Sequence, residues 1–144
     1  MKKPGEIVIN ALQEVVGNPA YDERKIKNYF SSIYQQIVDG HKLEYADFLS
    51  HMKMLKLATS RIIINIKSIA AEGDTVFTHH FVEVENSQGG NSEFEVFACF
   101  TLSAGKIIRC EELTRMLSGK PVDQDLASRI EVPLPARGRQ SKMI

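Results

Sequence analysis

The sequence lacks the features that mark several large classes of protein. Eighteen Lys and Arg residues balance eighteen Asp and Glu residues, so no net charge favours nucleic acid or an acidic membrane surface as a partner. No apolar run approaches the roughly 20 residues that a membrane-spanning helix needs. Two cysteines, Cys99 and Cys110, are too few for a disulfide framework. We therefore expect a protein that neither spans a membrane nor binds nucleic acid.

The amino-terminal sequence, MKKPGEIVINALQEVV, does not have the pattern of an export signal, because polar and charged residues interrupt its apolar run. Without such a signal, the reducing cytoplasm is the expected compartment. The length of 144 residues fits one domain. We assign residues 1–131 to this domain, with a short last helix at 119–130, and we expect residues 132–144 to form a flexible basic tail.

Three stretches in the first part of the chain have the three-to-four spacing of apolar residues that is typical of amphipathic helices. The first follows Pro4 and ends at residues 17–19, GNP, because a proline disfavours helix at the residue before it. The second begins after Asp22, which is a suitable N-cap. The third has the sequence LEYADFLSHMKMLKLA, residues 43–58.

The segment between the second and third helices admits two interpretations. Its apolar residues, Ile33, Tyr34, Ile37 and Val38, have a spacing that could extend the second helix. Alternatively, the serines at 31–32 end that helix and an extended segment follows. A turn at Asp39 and the glycine after it is expected in both cases.

From residue 61 onward the apolar period changes from that of a helix to that of a strand. Four strands are predicted, at residues 61–71, 75–85, 94–102 and 106–117, with the flexible loop SQGGNS at 87–92. Helices followed by consecutive strands predict an α+β fold, in which the helices pack on one face of an antiparallel sheet.

Three stretches resemble one known family: YFSSIYQQIVDGHKLEYADFLSHMKMLK, AEGDTVFTHHFVE and FTLSAGKIIRCEELTRMLSG. On these stretches the sequence resembles the SnoaL-like proteins of the nuclear transport factor 2-like superfamily, over roughly residues 22–130. That superfamily includes polyketide cyclases, ketosteroid isomerase and limonene-epoxide hydrolase. The landmarks of the resemblance are Tyr34, Asp39-Gly40, Phe48, His51, Gly73-Asp74 and Gly105-Lys106-Ile107.

The resemblance implies a cystatin-like fold, in which a strongly curved antiparallel sheet wraps round the helices as a cone with an internal pocket. It also implies that the segment after Phe30 is a loop or short strand, that a small apolar molecule occupies the pocket, and that the sheet forms a homodimer. Many relatives have Tyr-x-x-His before the Asp-Gly turn. Here Ile37 stands in place of that histidine, a departure that removes a possible acid or base.

Glu112 is the first candidate for a catalytic residue. Strand alternation from Lys106 places residues 108, 110, 112 and 114 on one side and residues 107, 109, 111 and 113 on the other. In the epoxide-hydrolase branch, the strand after the Gly-Lys-Ile turn carries a pocket aspartate, and the motif match places Glu112 there. A carboxyl group in an apolar cone would have a raised pKa and could serve as a general acid or base. Alternatively, Glu111 and Glu112 are one solvent-facing carboxylate and one ion-pair partner of Arg109 or Arg115.

His79 and His80 are adjacent on a strand, so one of them points into the cone and the other points outward. Flanking residues do not decide which one is inside. Either could bind substrate, or one could be a surface histidine and the other a hydrogen-bonded structural residue. Their side chains diverge, and the sequence has no His-x-His or His-x-x-x-His spacing, so we assign no metal and no other cofactor.

The third predicted helix and the segment before it supply the other candidate wall of the pocket. The resemblance implies that His51 faces the pocket as a second catalytic candidate, with Phe48 and Met52 on the same helix contacting substrate. Tyr34 and Gln36 are further candidate substrate-binding residues, and Tyr34 could donate a hydrogen bond to a ligand carbonyl. The alternatives are a histidine that bonds to backbone and a tyrosine that belongs to the core.

The position of the two cysteines depends on the register of the last hairpin. Cys99 faces Cys110 directly if Ser103 opposes Lys106, whereas the two lie on opposite faces if Leu102 opposes Lys106. In both registers they are expected to be small buried residues.

Two kinds of function remain open. The first is an enzyme that carries out proton transfer, as in cyclisation, isomerisation or hydrolysis, on a small apolar substrate. The second is a non-catalytic ligand-binding module or a homodimeric accessory protein. The residues do not identify the ligand, because one fold hosts many chemistries.

Overall fold

The structure, a computed structural model, describes residues 2–121, so the predicted last helix and basic tail lie outside the described residues, apart from the first few positions of that helix. The described helices are α1 (Pro4–Ala11), which continues as a π-helical segment (Leu12–Val16), α2 (Glu23–Tyr29) and α3 (Tyr45–Ala58). The strands are β1 (Phe30–Val38), β2 (His41–Leu43), β3 (Thr59–Glu72), β4 (Thr75–Asn86), β5 (Asn91–Ser103) and β6 (Lys106–Ser118).

The helix boundaries follow local chemistry. Asp22 is the N-cap of α2, and its carboxylate accepts hydrogen bonds from the backbone N–H groups of Arg24 and Lys25. These bonds satisfy donors that the first turn of a helix leaves without partners. Lys56 ties α3 to the first helix, because its ammonium donates to the carbonyl of Val16 at 2.6 Å.

The segment after Phe30 is a strand, so the extended interpretation is correct. Tyr34, Gln36 and Val38 are buried in β1, while Gln35 and Ile37 between them are partly exposed. The predicted turn follows, with positive φ angles of 50° at Asp39 and 88° at Gly40. It leads into β2, which pairs back onto the end of β1.

The six strands form one curved sheet in the order β2-β1-β6-β5-β4-β3, and the sheet is not closed into a barrel. This is the predicted α+β fold, with one difference in pairing. β1 and β6 run parallel, whereas the other neighbouring strands are antiparallel. The parallel pair arises because the chain leaves the sheet for α3 after β1 and β2, and the later hairpins then bring β6 alongside β1. The backbone N–H of Asp39 donates to the carbonyl of Glu112 at 3.0 Å and holds the ends of these strands together.

The β5–β6 hairpin has a register that neither sequence-based alternative describes. Ser103 opposes Lys106, but a bulge follows between Thr101 and Leu102, so Cys99 opposes Glu111 and not Cys110. The bulge adds one residue to β6, and the added residue shifts the alternation of sides. Ile107 is consequently on the buried side with Cys110 and Glu112, contrary to the alternation predicted from Lys106.

The helices cover the concave face of the sheet and enclose the core. Three aromatic rings, those of Phe30, Tyr34 and Phe48, contact one another with centroids 4.8–4.9 Å apart. They join β1 to α3, so the side chains that α3 presents to the sheet have fixed positions.

Candidate functional site

A cavity lies between the helices and the concave face of the sheet. Its volume is about 100 Å³, measured as the space that the centre of a water molecule can occupy. One water needs about 10–15 Å³ in this measure, so the cavity has room for several waters or a small organic molecule. Most of the lining is apolar. The polar lining residues are Tyr34, Gln36, His51, His80, Cys110, Glu112 and Thr114.

Glu112 reaches the cavity from β6, on the side that the sequence predicted. Its carboxylate oxygen Oε2 accepts a hydrogen bond from the thiol of Cys110 at 3.5 Å. The pKa of the Glu112 carboxyl is raised from its ordinary 4.5 to about 7, and burial is the largest cause. The hydrogen bond from Cys110 lowers this pKa, and the negative charge of Asp39 raises it. The carboxyl can therefore accept or donate a proton near neutral pH.

Tyr34 and Gln36 line the wall that β1 contributes. The hydroxyl of Tyr34 donates to the side-chain oxygen Oε1 of Gln36 at 2.7 Å. Burial raises the pKa of Tyr34 well above 10.0, so it remains a phenol. Because its proton is directed to Gln36, Tyr34 is not set to donate to a ligand as the sequence analysis proposed. Since this bond uses the Tyr34 proton and the Gln36 oxygen, the side-chain N–H₂ of Gln36 is the group of the two residues that can donate to a ligand. Gln36 is paired with Cys110 on the neighbouring strand.

Of the two adjacent histidines on β4, His80 is the one that faces the cavity. Its ring nitrogen Nδ1 lies 2.9 Å from the hydroxyl oxygen of Thr78. Burial, together with a smaller effect of the neighbouring His79, lowers the pKa of His80 to about 4, so the ring is neutral at physiological pH. His51 is buried on α3 and lines the same cavity, together with Phe48 and Met52.

His79 lies on the outer face of the sheet and, unlike His80, does not line the cavity. Its Nε2 is 2.7 Å from a carboxylate oxygen of Glu95, and its ring stacks on Phe97 with centroids 4.1 Å apart. Arg115 bonds to the other carboxylate oxygen of Glu95 at 2.7 Å. The outward direction follows from strand alternation once His80 is inside.

Comparisons with known proteins agree with this fold. An uncharacterized protein of Schizosaccharomyces pombe is 30% identical over 128 residues, which cover 89% of this chain and 98% of that protein. A protein from Jannaschia sp. CCS1, named as a SnoaL-like polyketide cyclase, has a TM-score of 0.65 and 17% identity, covering 77% of this chain and 84% of that one. An epoxide hydrolase of the limonene-epoxide type from M. tuberculosis has a TM-score of 0.67 and 14% identity, covering 78% and 82%. No family model matches the sequence.

The chain belongs to the same family as the yeast protein, and it has the SnoaL-like fold of the nuclear transport factor 2-like superfamily. The likeness to the two solved structures is a likeness of fold. What this SnoaL-like protein does must be argued from its own cavity.

Two residues of the site were missed in the sequence. Cys110 was expected to be only a small buried residue, and Thr114 was not considered, although both share the inner side of β6 with Glu112. The alternation along this strand was a signal that could have identified them. The hydrogen bond between Cys110 and Glu112 could not be predicted, because residues two apart on a strand contact each other only when local curvature brings their tips together.

Within residues 2–121, no three His, Cys, Asp or Glu side chains are grouped in a way that could hold a metal ion. The helices within that range are too short or too polar to cross a bilayer.

Proposed function

We propose that this SnoaL-like protein binds a small, largely apolar molecule in the cavity, and that Glu112 transfers a proton to or from it. The observation that carries the proposal is a carboxyl group whose pKa is raised to about 7 in an otherwise apolar cavity. A general acid or base works best when its pKa is near the pH at which it operates. The fold shared with a polyketide cyclase and an epoxide hydrolase supports a role of this kind.

In this mechanism, an apolar ligand displaces water from the cavity and faces the carboxylate of Glu112. The thiol of Cys110 donates to one carboxylate oxygen and leaves the other for the proton that moves. The N–H₂ group of Gln36 can donate to an oxygen on which negative charge develops, because Tyr34 occupies its carbonyl oxygen. His51, on the opposite wall, is the second candidate for proton transfer. Cyclisation, isomerisation and hydrolysis each need such a step.

The proposal can be tested without knowledge of the natural substrate by using 5-nitrobenzisoxazole. A carboxylate base removes the hydrogen on its C3 carbon while the ring N–O bond breaks, and the product is a coloured cyanophenolate. We expect the wild-type rate to rise with pH and to be half-maximal near pH 7, as the pKa of Glu112 requires. Glu112→Gln should reduce this rate by about 100-fold or more, the usual contribution of a general base.

Glu111→Gln is the matched control, because Glu111 is the neighbouring carboxylate on the exposed side of the same strand. It should keep the wild-type rate and pH profile. A rate that survives Glu112→Gln, or one that Glu111→Gln also loses, would contradict the assignment of Glu112. Native mass spectrometry of the purified protein would then show the mass of any natural ligand that remains bound.

The second candidate function is that of a homodimeric accessory protein that assembles through the sheet. The observation that favours it is the apolar outer face, where Phe77, Phe97 and Leu113 are 54%, 53% and 68% exposed. Phe97 lies between His79 and Leu113 in one row across β4, β5 and β6. Contiguous apolar surface of this kind is typical of contacts between proteins.

A further inference from the structure

We infer that His80 recognises a hydroxyl group at the end of the ligand far from Glu112, so that the cavity takes molecules with an apolar body and a polar group at each end. The inference rests on the proposed function, because it specifies the class of ligand that the same cavity would bind. Three observations carry it: the hydrogen bonding of the His80 ring, its distance from Glu112, and the lining between them.

Among the residues that the structure describes, one ring nitrogen of His80 has a hydrogen-bond partner and the other has none. The side chain is 3% exposed and lines the cavity, and its Nδ1 is 2.9 Å from the hydroxyl oxygen of Thr78. Within residues 2–121, no side chain or backbone group is hydrogen-bonded to its Nε2. A buried polar atom without a partner is unfavourable, so a group inside the cavity is needed to complete it.

A hydroxyl group is the ligand function that fits this nitrogen. If the Thr78 hydroxyl donates to Nδ1, then Nε2 carries a hydrogen and donates; in the other tautomer Nε2 accepts. A hydroxyl can both accept and donate, so it satisfies either form. Burial keeps the ring neutral, and a neutral ring offers no charge to balance a carboxylate or an ammonium group.

The sheet register places His80 well away from Glu112. Glu112 opposes Ala98 on β5, while His80 on β4 opposes Val96, so the two residues are separated by one intervening strand. Neighbouring strands are about 4.8 Å apart, so the backbones of His80 and Glu112 are separated by roughly 10 Å in the direction across the strands. The residues between them on β5, Val96 and Ala98, are apolar and buried. A ligand that reaches both ends therefore needs an apolar middle.

The test compares the binding of 2-naphthol and 2,6-dihydroxynaphthalene to the full-length protein by isothermal titration calorimetry at pH 7. The two probes differ only in a second hydroxyl at the opposite end of the rings. We expect wild type to bind the dihydroxy compound about tenfold more tightly, as one added hydrogen bond to an otherwise unpaired buried group predicts. This exceeds the twofold advantage that symmetry gives that compound.

His80→Leu should bind both probes with nearly equal affinity, apart from the symmetry factor. His80→Gln keeps a group that can donate and accept, so it should restore part of the preference, and it serves if the leucine variant does not fold. His79→Leu is the matched control on the outer face of the same strand and should keep the wild-type preference.

The possible failures can be told apart. If 2-naphthol binds but wild type has no preference, or if His80→Leu keeps the preference, the role of His80 is wrong while ligand binding by the cavity still holds. If wild type binds neither probe, the inference fails together with the proposed apolar ligand.

Discussion

Replacing Glu112 by Gln should stabilise the folded protein increasingly as the pH rises above about 4.5, where the unfolded chain of the wild type releases the proton that the folded protein still holds. The pKa of this group is 4.5 in its ordinary state and about 7 in the folded protein. Between these values the folded protein binds the proton more tightly than the unfolded chain. The unfolding free energy of the wild type is therefore highest, as far as Glu112 is concerned, below pH 4.5. It falls as the pH rises from 4.5 through 7, because the unfolded chain then releases a proton that the folded protein holds.

The magnitude follows from the size of the shift. A difference of about 2.5 pKa units, at about 1.36 kcal/mol per unit, corresponds to about 3 kcal/mol of unfolding free energy. Glutamine has nearly the same shape, stays neutral, and can still accept the hydrogen bond from Cys110. The variant should consequently match wild type at low pH and be about 3 kcal/mol more stable above pH 7.

Urea denaturation at pH 4.5 and about pH 8 measures this effect. Only the difference between wild type and Glu112→Gln is compared, because other groups also titrate over this range. Glu111→Gln, on the exposed side of the strand, should follow wild type at both pH values. If the advantage of Glu112→Gln is the same at both, the carboxyl does not have a raised pKa, and the physical basis for its role as a base at neutral pH is lost.

Two other predictions concern the strand ends and the outer face. Asp39→Ala should lower the unfolding free energy by about 1–2 kcal/mol, because the Asp39 carboxylate accepts hydrogen bonds from the backbone N–H and the hydroxyl of Thr114. Urea denaturation measures this loss. Asp74→Ala, a control in another turn, should have a smaller effect. Phe97→Lys should convert a sheet-mediated dimer to monomer in analytical ultracentrifugation, whereas Leu57→Lys, at a 73% exposed position on α3, should not. A wild-type protein that is already monomeric would contradict the dimer.

The fold class could be predicted because the apolar period changes once, near residue 60, from helical to strand-like. The strand β1 could not be predicted from its own sequence. Ile33, Tyr34, Ile37 and Val38 fit a helix as well as a strand, and propensity is weak beside tertiary context. What decides the conformation is pairing with β2, which follows directly after the turn, and with β6, whose residues come at the end of the described sheet.

For the site, the sequence could predict only which side chains of a strand share one side of the sheet. Alternation showed that His79 and His80 point to opposite sides, but the outer face carries Phe77 and Phe97 and is as apolar as an inner face. Flanking residues therefore gave no direction. The bulge near Thr101 is a second limit, because it places Ile107 on the buried side together with Cys110 and Glu112, which strict alternation from Lys106 does not allow.

The structure also shows whether a histidine at position 37, where many relatives have one and this chain has Ile37, could act in the cavity. This position is on the partly exposed side of β1, while its neighbours Gln36 and Val38 are buried. A histidine there would point away from the cavity, so its absence removes no acid or base from the site. Since burial keeps His80 neutral and Tyr34 protonated, Glu112 is the cavity residue with a pKa shifted towards neutrality. His80 and Tyr34 are therefore not set to exchange a proton near neutral pH, and His51 on α3 remains the candidate for a second acid or base beside Glu112.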